Sequence, residues 1–159
     1  MTLDFICSIS LSMIYLLSVL VILLDQISKF LIQSTIFVGE TFSIVPFFNL
    51  VLTYNKGVSF SFLSSDSSYM PWFLALFSIF ISILLVHWIQ KEKEIKTRIG
   101  LTLILGGALG NAIDRIRIGA VIDFLDFYIG SYHWPAFNIA DSAICIGVFF
   151  ILICMKGKK

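Results

Sequence analysis

The sequence is short of charge. Only 13% of its 159 residues are Asp, Glu, Lys or Arg, where a soluble domain carries about 25%, so a water-facing globular surface is excluded. Lys and Arg together exceed Asp and Glu by one, which excludes the basic stripe that a nucleic-acid partner requires. The three cysteines, Cys7, Cys145 and Cys154, fall in apolar runs without paired spacing. Neither a disulfide framework nor a cysteine metal site is expected, and packing is their expected role. There are two histidines, His87 and His133, and no Ser–His, Ser–Lys or Cys–His constellation or HExxH motif. No metal and no cofactor is therefore expected. Internal repeats and low-complexity tracts are also lacking, so one domain over residues 1–159 is expected.

What the chain has in quantity is apolar surface: 58% hydrophobic residues, sixteen of them Phe, and a mean hydropathy of +0.98. Four stretches are nearly free of charge: Phe5 to Leu24, Trp72 to Ile89, Ile99 to Ile113 and Pro135 to Met155. A spanning helix needs about 17–25 apolar residues. The expectation is an all-α polytopic membrane protein with four transmembrane helices at about 8–33, 70–90, 97–118 and 136–156. The third charge-free run is the shortest, but its apolar pattern continues past Asp114 to Ile118. The first run lacks the positive n-region and small-x-small site of a cleaved signal peptide, so a retained helix is expected.

Lys and Arg orient these spans. The loop Lys91 to Arg98 carries four positive charges and Lys156 to Lys159 three, which places both on the cytoplasmic side, and four spans return the N-terminus there as well. Between the first two spans, Thr41 to Tyr54 is rich in strand formers, Asn55-Lys56-Gly57 is a turn signal and Val58 to Phe62 alternates strictly. A small extracytoplasmic antiparallel sheet over about 40–63 is expected. The connection Gly119 to Trp134 has Val121, Phe124, Leu125 and Tyr128 at helical spacing, which predicts a short interfacial helix, with Tyr132 and Trp134 at headgroup depth.

On this topology the remaining ionisable groups gather at one interface. Asp25 and Lys29 share a face of the first helix, and Asn111, Asp114 and Arg115 share a face of the third. Asp123 follows in the outer connection, and Asn138 and Asp141 begin the fourth span. Carboxylates beside lipid mark functional sites by default. Asp123 and Asp141 have almost nothing around them in sequence to offset their charge, and two such acids can work as a pair sharing one proton. One acts as general base toward water, while the other, protonated, polarises a carbonyl and donates to the leaving amine. The structural counterpart is a buried ion pair with Arg115 or Lys29. Asp114 beside Arg115 reads as a local structural pair, and Asp25–Lys29 as structural or pocket-shaping. Gly106 and Gly110 form a small-xxx-small packing pair. Asn55 reads equally as a turn residue and as a substrate contact. A small ion-coupled membrane transporter using intramembrane aspartates is the alternative from another class. It would want charges at the midplane and repeated halves, neither of which the sequence has.

The blocks Leu24-Asp-Gln-Ile-Ser-Lys29, Asn55-Lys-Gly-Val-Ser-Phe60, Gly106-Gly-Ala-Leu-Gly-Asn-Ala-Ile-Asp-Arg115, Val121-Ile-Asp-Phe124 and Phe137-Asn-Ile-Ala-Asp-Ser142 resemble, in order, those of the lipoprotein signal peptidase (signal peptidase II) family. The resemblance covers the chain from first helix to last. One departure is Val58-Ser59, where the family usually has two small residues. The resemblance implies an aspartyl peptidase of the bacterial inner membrane, its active site on the topology above at the extracytoplasmic face, and nothing in the sequence demands more than a monomer. Its substrates would be diacylglyceryl-modified prolipoproteins, cut on the N-terminal side of the modified Cys. Membrane lipid and globomycin-like cyclic peptide inhibitors are further implied partners. The catalytic pair maps onto Asp123 and Asp141. Asn55, Asn111, Arg115 and Asn138 map onto the substrate cleft, Asp25 and Lys29 onto a supporting pair, and Asp114 onto a structural position.

Overall fold

The computed structural model describes residues 11–57 and 69–156. Helix α1 (Leu11–Thr35) leads into strands β1 (Thr41–Val45) and β2 (Phe48–Asn55). Helices α2 (Met70–Lys91) and α3 (Ile95–Ile118) follow, then β3 (Val121–Ile129), β4 (Tyr132–His133) and α4 (Ile139–Lys156). Helices α1, α2 and α3 are long and apolar enough to cross a membrane, and the apolar part of α4 is shorter, Ile139–Cys154.

The burial pattern is inverted relative to a protein in water. Leu16, Leu23, Leu76, Phe80, Phe149 and Leu152 are exposed on the outer faces of α1, α2 and α4, whereas Asp25, Lys29, Asp114 and Asn138 are buried. Apolar residues can face outward without cost only where the solvent is hydrocarbon.

Helix α3 packs against α1, α2 and α4, and its glycines make this possible. A Cβ at Gly106 would lie 2.8 Å from Val21 Cβ and one at Gly110 2.8 Å from Asp25 Oδ2, both on α1. Gly107 presses on the Ala140 carbonyl of α4, and Gly100 and Gly147 meet where α3 and α4 cross. Close backbone approach of this kind is how helices associate in lipid. Ile14, Leu85, Ile89, Leu101 and Leu105 fill the space between α1, α2 and α3.

Two local signals bound α3. Glu94 caps its start, accepting from the N–H groups of Lys96 and Thr97. Gly119, at φ +70°, ends it in the left-handed conformation and donates to Arg115 O at 3.1 Å. The chain then turns directly into β3.

Here the expectation of an interfacial helix fails. Residues Val121–Ile129 form a strand, antiparallel to β2, in a four-stranded sheet of order β1-β2-β3-β4. Val-Ile-Asp-Phe-Leu-Asp-Phe-Tyr-Ile is rich in β-branched and aromatic residues. Nine residues are too few for spacing to separate helix from strand, and the hydrogen-bonding edge of β2 decides. The sheet therefore draws on both connections, not on residues 40–63 alone. The alternating Val58–Phe62 stretch and the Val58-Ser59 departure lie outside the described residues, as does Cys7. Cys145, expected to pack, is exposed on α4. The fourth helix starts at Ile139 rather than near 136, because Phe137 is still extended and exchanges backbone hydrogen bonds with Leu125.

Candidate active site

The sheet and the helix ends bring the polar residues together. In β2 the register with β3 shifts between Leu50 and Thr53, so that Thr53 faces Asp123 and Asn55 faces Val121. On the other side of β3, the Phe137–Leu125 bridge delivers Asn138 and the start of α4. Asp123, from the middle of a buried strand, and Asp141, from the first turn of a helix, thus both reach Asn138.

Asn138 is the hub. It caps α4: its Oδ1 accepts from the Asp141 N–H at 2.9 Å, and Asp141 Oδ2 accepts from the Asn138 N–H at 3.3 Å. That reciprocal arrangement is a capping box with Asn and Asp in place of Ser and Glu. With its oxygen committed, the Asn138 amide nitrogen donates to Asp123 Oδ1 at 2.7 Å, and lies 3.2 Å from both Ile122 O and Asn111 Oδ1. Asp123 Oδ2 accepts from Asn55 Nδ2 at 3.0 Å, and Asp141 Oδ1 accepts from Asn111 Nδ2 at 2.8 Å. Asn55 has the turn role expected of it, since its Oδ1 also accepts from the Gly57 N–H.

A second polar group lies behind the first. Lys29, 1% exposed, pairs with Asp25 at 2.8 Å and with Asp114 at 2.7 Å, and donates to Asn111 Oδ1 at 3.1 Å. Asp25 Oδ1 accepts from the Ala140 N–H in the first turn of α4, and Asp114 Oδ2 from the Ile122 N–H of β3. Asp114 therefore works as a structural residue through Lys29, not through its neighbour Arg115. Among the described residues, neither Asp123 nor Asp141 forms an ion pair. The structural counterpart, an ion pair of Asp123 or Asp141 with Lys29 or Arg115, is thus not formed among the described residues, and Lys29 pairs instead with Asp25, its neighbour on the same helix face, and with Asp114.

Arg115 stands near the pair without touching it. The charges of Asp141, Asp123 and Asp114 all act on its guanidinium, its one hydrogen bond here is a long one to Asn111 O at 3.5 Å, and its buried Nε has no partner among the described residues. Burial pushes the Asp123 carboxyl up to about 6; the Asn55 and Asn138 hydrogen bonds oppose that rise and the charge of Asp141 adds to it. Outside the pair, a cleft of about 390 Å³ is lined by Thr53, Tyr54, Asn55, Lys56, Asp123, Pro135 and Ala136.

Three participants were not singled out in the sequence. Gln26 donates to Asp114 at 2.9 Å and to Asp25 and Gly110 O at 3.2 Å, and accepts from Arg117. A polar residue inside an apolar helix was its available signal. Gly107, beside the Gly106 that spacing picked out, sets the distance between α3 and α4. Asp126 has its own partners, Asn49 and His133, and stands apart from the pair.

The arrangement can carry acid–base chemistry with a water, because both carboxylates keep unspent lone pairs and Asp123 lines a cleft. Two solved structures of bacterial membrane enzymes, obtained by the in meso method, share the fold. Each has a TM-score of 0.81 and 35% identity; one comparison covers 92% of this chain and 89% of the other, the second 91% and 93%. The fold thus places this chain with membrane enzymes. The family described as signal peptidase (SPase) II matches residues 17–156. A lipoprotein signal peptidase of Coxiella burnetii is 48% identical over 141 residues, 87% of this chain and 86% of that protein. One of Janthinobacterium is 49% identical over 137 residues, 85% and 83% of the two chains. The chain belongs to the signal peptidase II family.

Proposed function

We propose that this protein is an aspartyl endopeptidase of the bacterial inner membrane, with Asp123 and Asp141 as its catalytic pair. As a signal peptidase II it removes signal peptides from prolipoproteins. In this reading the cut falls on the N-terminal side of the diacylglyceryl-modified Cys. The observation that carries it is the division of the four acids gathered at this site. Lys29 takes Asp25 and Asp114, while Asp123 and Asp141 are held only by neutral donors and both contact Asn138.

The reading extends to the membrane. All four helices span it as one domain, the termini are cytoplasmic, and the sheet and the acid pair lie at the extracytoplasmic face. The substrate's signal helix enters laterally, which brings the scissile bond to the depth of the pair. One carboxylate takes a proton from water as the water attacks the carbonyl. The other protonates the carbonyl oxygen, and the leaving amine is then protonated. Asn55 and Arg115 hold the substrate backbone, Arg115 with donors it does not spend internally. A globomycin-like cyclic peptide occupies the same cleft, and the protein works as a monomer. The transporter alternative finds no support, since the family relatives are peptidases.

The test is cleavage of a diacylglyceryl-modified prolipoprotein by the purified protein and by Asp123→Asn and Asp141→Asn. Near-normal turnover in either variant would remove that residue from the pair. Turnover that depends on added metal would point to another mechanism.

A further inference from the structure

We infer that Lys29 is a positioning residue of the catalytic pair: through the Asn111 amide it keeps a donor fixed on Asp141, which makes Asp141 the base and leaves Asp123 to carry the proton. The inference rests on the peptidase reading above. An ammonium group can only donate. Lys29 directs its three protons at Asp25 Oδ2, Asp114 Oδ2 and Asn111 Oδ1, at 2.8, 2.7 and 3.1 Å. The atom that Asn111 turns toward Lys29 must therefore be its oxygen. The Asn138 amide nitrogen donates to that same oxygen at 3.2 Å, so a flipped Asn111 amide would set its NH2 against two donors.

The Asn111 NH2 is thereby committed to Asp141 Oδ1, at 2.8 Å. The other oxygen of Asp141 faces the backbone N–H of Asn138, which is a donor by constitution. Asp141 also occupies the first turn of α4, where the helix dipole favours negative charge. The charged groups around it are Arg115 from α3 and Asp123 from β3. The charge of Lys29, from α1, acts on Asp123, and Lys29 is already paired with Asp25 and Asp114.

Asp123 is placed differently on each count. It lies 3% exposed on a strand and not in the first turn of a helix. The Asn138 amide nitrogen that serves it has two protons and three acceptors within reach. Its second donor, Asn55, stands at the end of β2 beside the cleft, and a single backbone N–H, that of Gly57, holds the amide in place. Burial, which raises this carboxyl to about 6, acts in the same direction.

The cycle then closes. The Asp141 carboxylate takes a proton from water as the water oxygen bonds to the scissile carbonyl carbon, and Asp123 gives its proton to the carbonyl oxygen. On collapse Asp123 recovers that proton, the proton on Asp141 passes to the amide nitrogen, and the C–N bond breaks. The new acid and amine leave with both carboxyls in their starting state.

The test uses the full chain in micelles and has two readouts. The first is the pH profile of kcat/KM on a lipid-modified prolipoprotein for the wild type and Asn111→Asp, which keeps an acceptor for Lys29 but removes the donor to Asp141. The acidic limb is expected to move upward by about one pH unit. A uniform loss at all pH values would mean a structural role only and would overturn the relay. The second readout needs no variant. Carbon-13 resonances of the wild-type Asp carboxyls, assigned in the two Asp→Asn variants, are followed by pH. Asp123 is expected to be the carboxyl that takes a proton near pH 6. If Asp141 takes it first, the assignment of roles is reversed. This titration is independent of turnover, so absence of wild-type cleavage would count against the peptidase reading and not against the proton placement.

Discussion

Two pairs of aspartates lie within one site, and the contrast between them explains it. Asp25 and Asp114 share Lys29, and each accepts three hydrogen bonds or ion-pair contacts. Asp25 takes Lys29, Gln26 and the Ala140 N–H, and Asp114 takes Lys29, Gln26 and the Ile122 N–H. Asp123 and Asp141 each accept two, from asparagine amides and one backbone N–H, and have no cation. A carboxylate has about four acceptor positions. The first pair is close to saturated and ties α1, α3, α4 and β3 together. The second keeps lone pairs unspent, and those of Asp123 lie beside the cleft. Burial alone does not distinguish them, since Asp114 and Asp123 are 1% and 3% exposed. The donors do.

The contrast breaks most visibly in turnover. Asp123→Asn or Asp141→Asn is expected to reduce kcat by about 100- to 10,000-fold with the fold retained, whereas in Asp25→Asn any loss of turnover should follow loss of thermal stability. Parallel melting curves in detergent separate the two effects. Lys29→Met is expected next in size. It leaves two buried carboxylates unpaired, and a destabilisation of about 3–5 kcal/mol should appear in denaturant or thermal unfolding. A stable, correctly folded Lys29→Met protein would show that the first pair is not the tie it looks to be.

The pH dependence of stability sharpens the comparison further. Asp123 has its carboxyl raised from 3.8 to about 6 in the fold. Between those values the native state binds more proton than the unfolded chain, so its contribution to stability is present at low pH and lost as pH rises through about 6. The loss is on the order of 3 kcal/mol, at about 1.4 kcal/mol per unit. Asp123→Asn should therefore flatten the midpoint-against-pH curve above pH 4, and an unchanged slope would refute the assignment of that slope to Asp123.

Two smaller effects test the frame around the pairs. Gly107→Ala places a methyl group against the Ala140 carbonyl and should cost about 1–3 kcal/mol. Activity should fall with it, because Ala140 adjoins Asp141. Glu94→Ala, at the opposite end of α3, removes a cap and should cost about 1 kcal/mol with kcat unchanged. A drop in kcat there would mean that α3 transmits its cap to the site.

Legibility differed by element. The helices α2 and α3 fall within two residues of the positions expected for them, because in lipid nearly every outward residue must be apolar and the apolar run marks the element. The small-residue spacing of Gly106 and Gly110 correctly indicated close packing, here against α1. The strand β3 was not legible. Its residues fit a helical face and a strand about equally over nine positions, and only the edge of β2, about seventy residues away in sequence, chose between them. Asp25 was legible as a partner of Lys29 from the four-residue spacing, but the second partner, Asp114, was not. Asp114 lies next to Arg115 in the chain, but adjacent side chains on a helix diverge. The packing of α1 on α3 gives Asp114 to Lys29 instead.

By itself the sequence determined that the chain is built of apolar helices, that acids and asparagines gather toward one end of them, and that Asp123 and Asp141 stand in blocks resembling those of the signal peptidase II family. Those are one-dimensional properties, set by which residues lipid tolerates and where the chain places its exceptions. The tertiary structure decided which acids receive a cation and which receive only amides. That depends on distances of 2.7–3.3 Å between residues up to 115 positions apart, and a cation with three protons cannot serve four carboxylates.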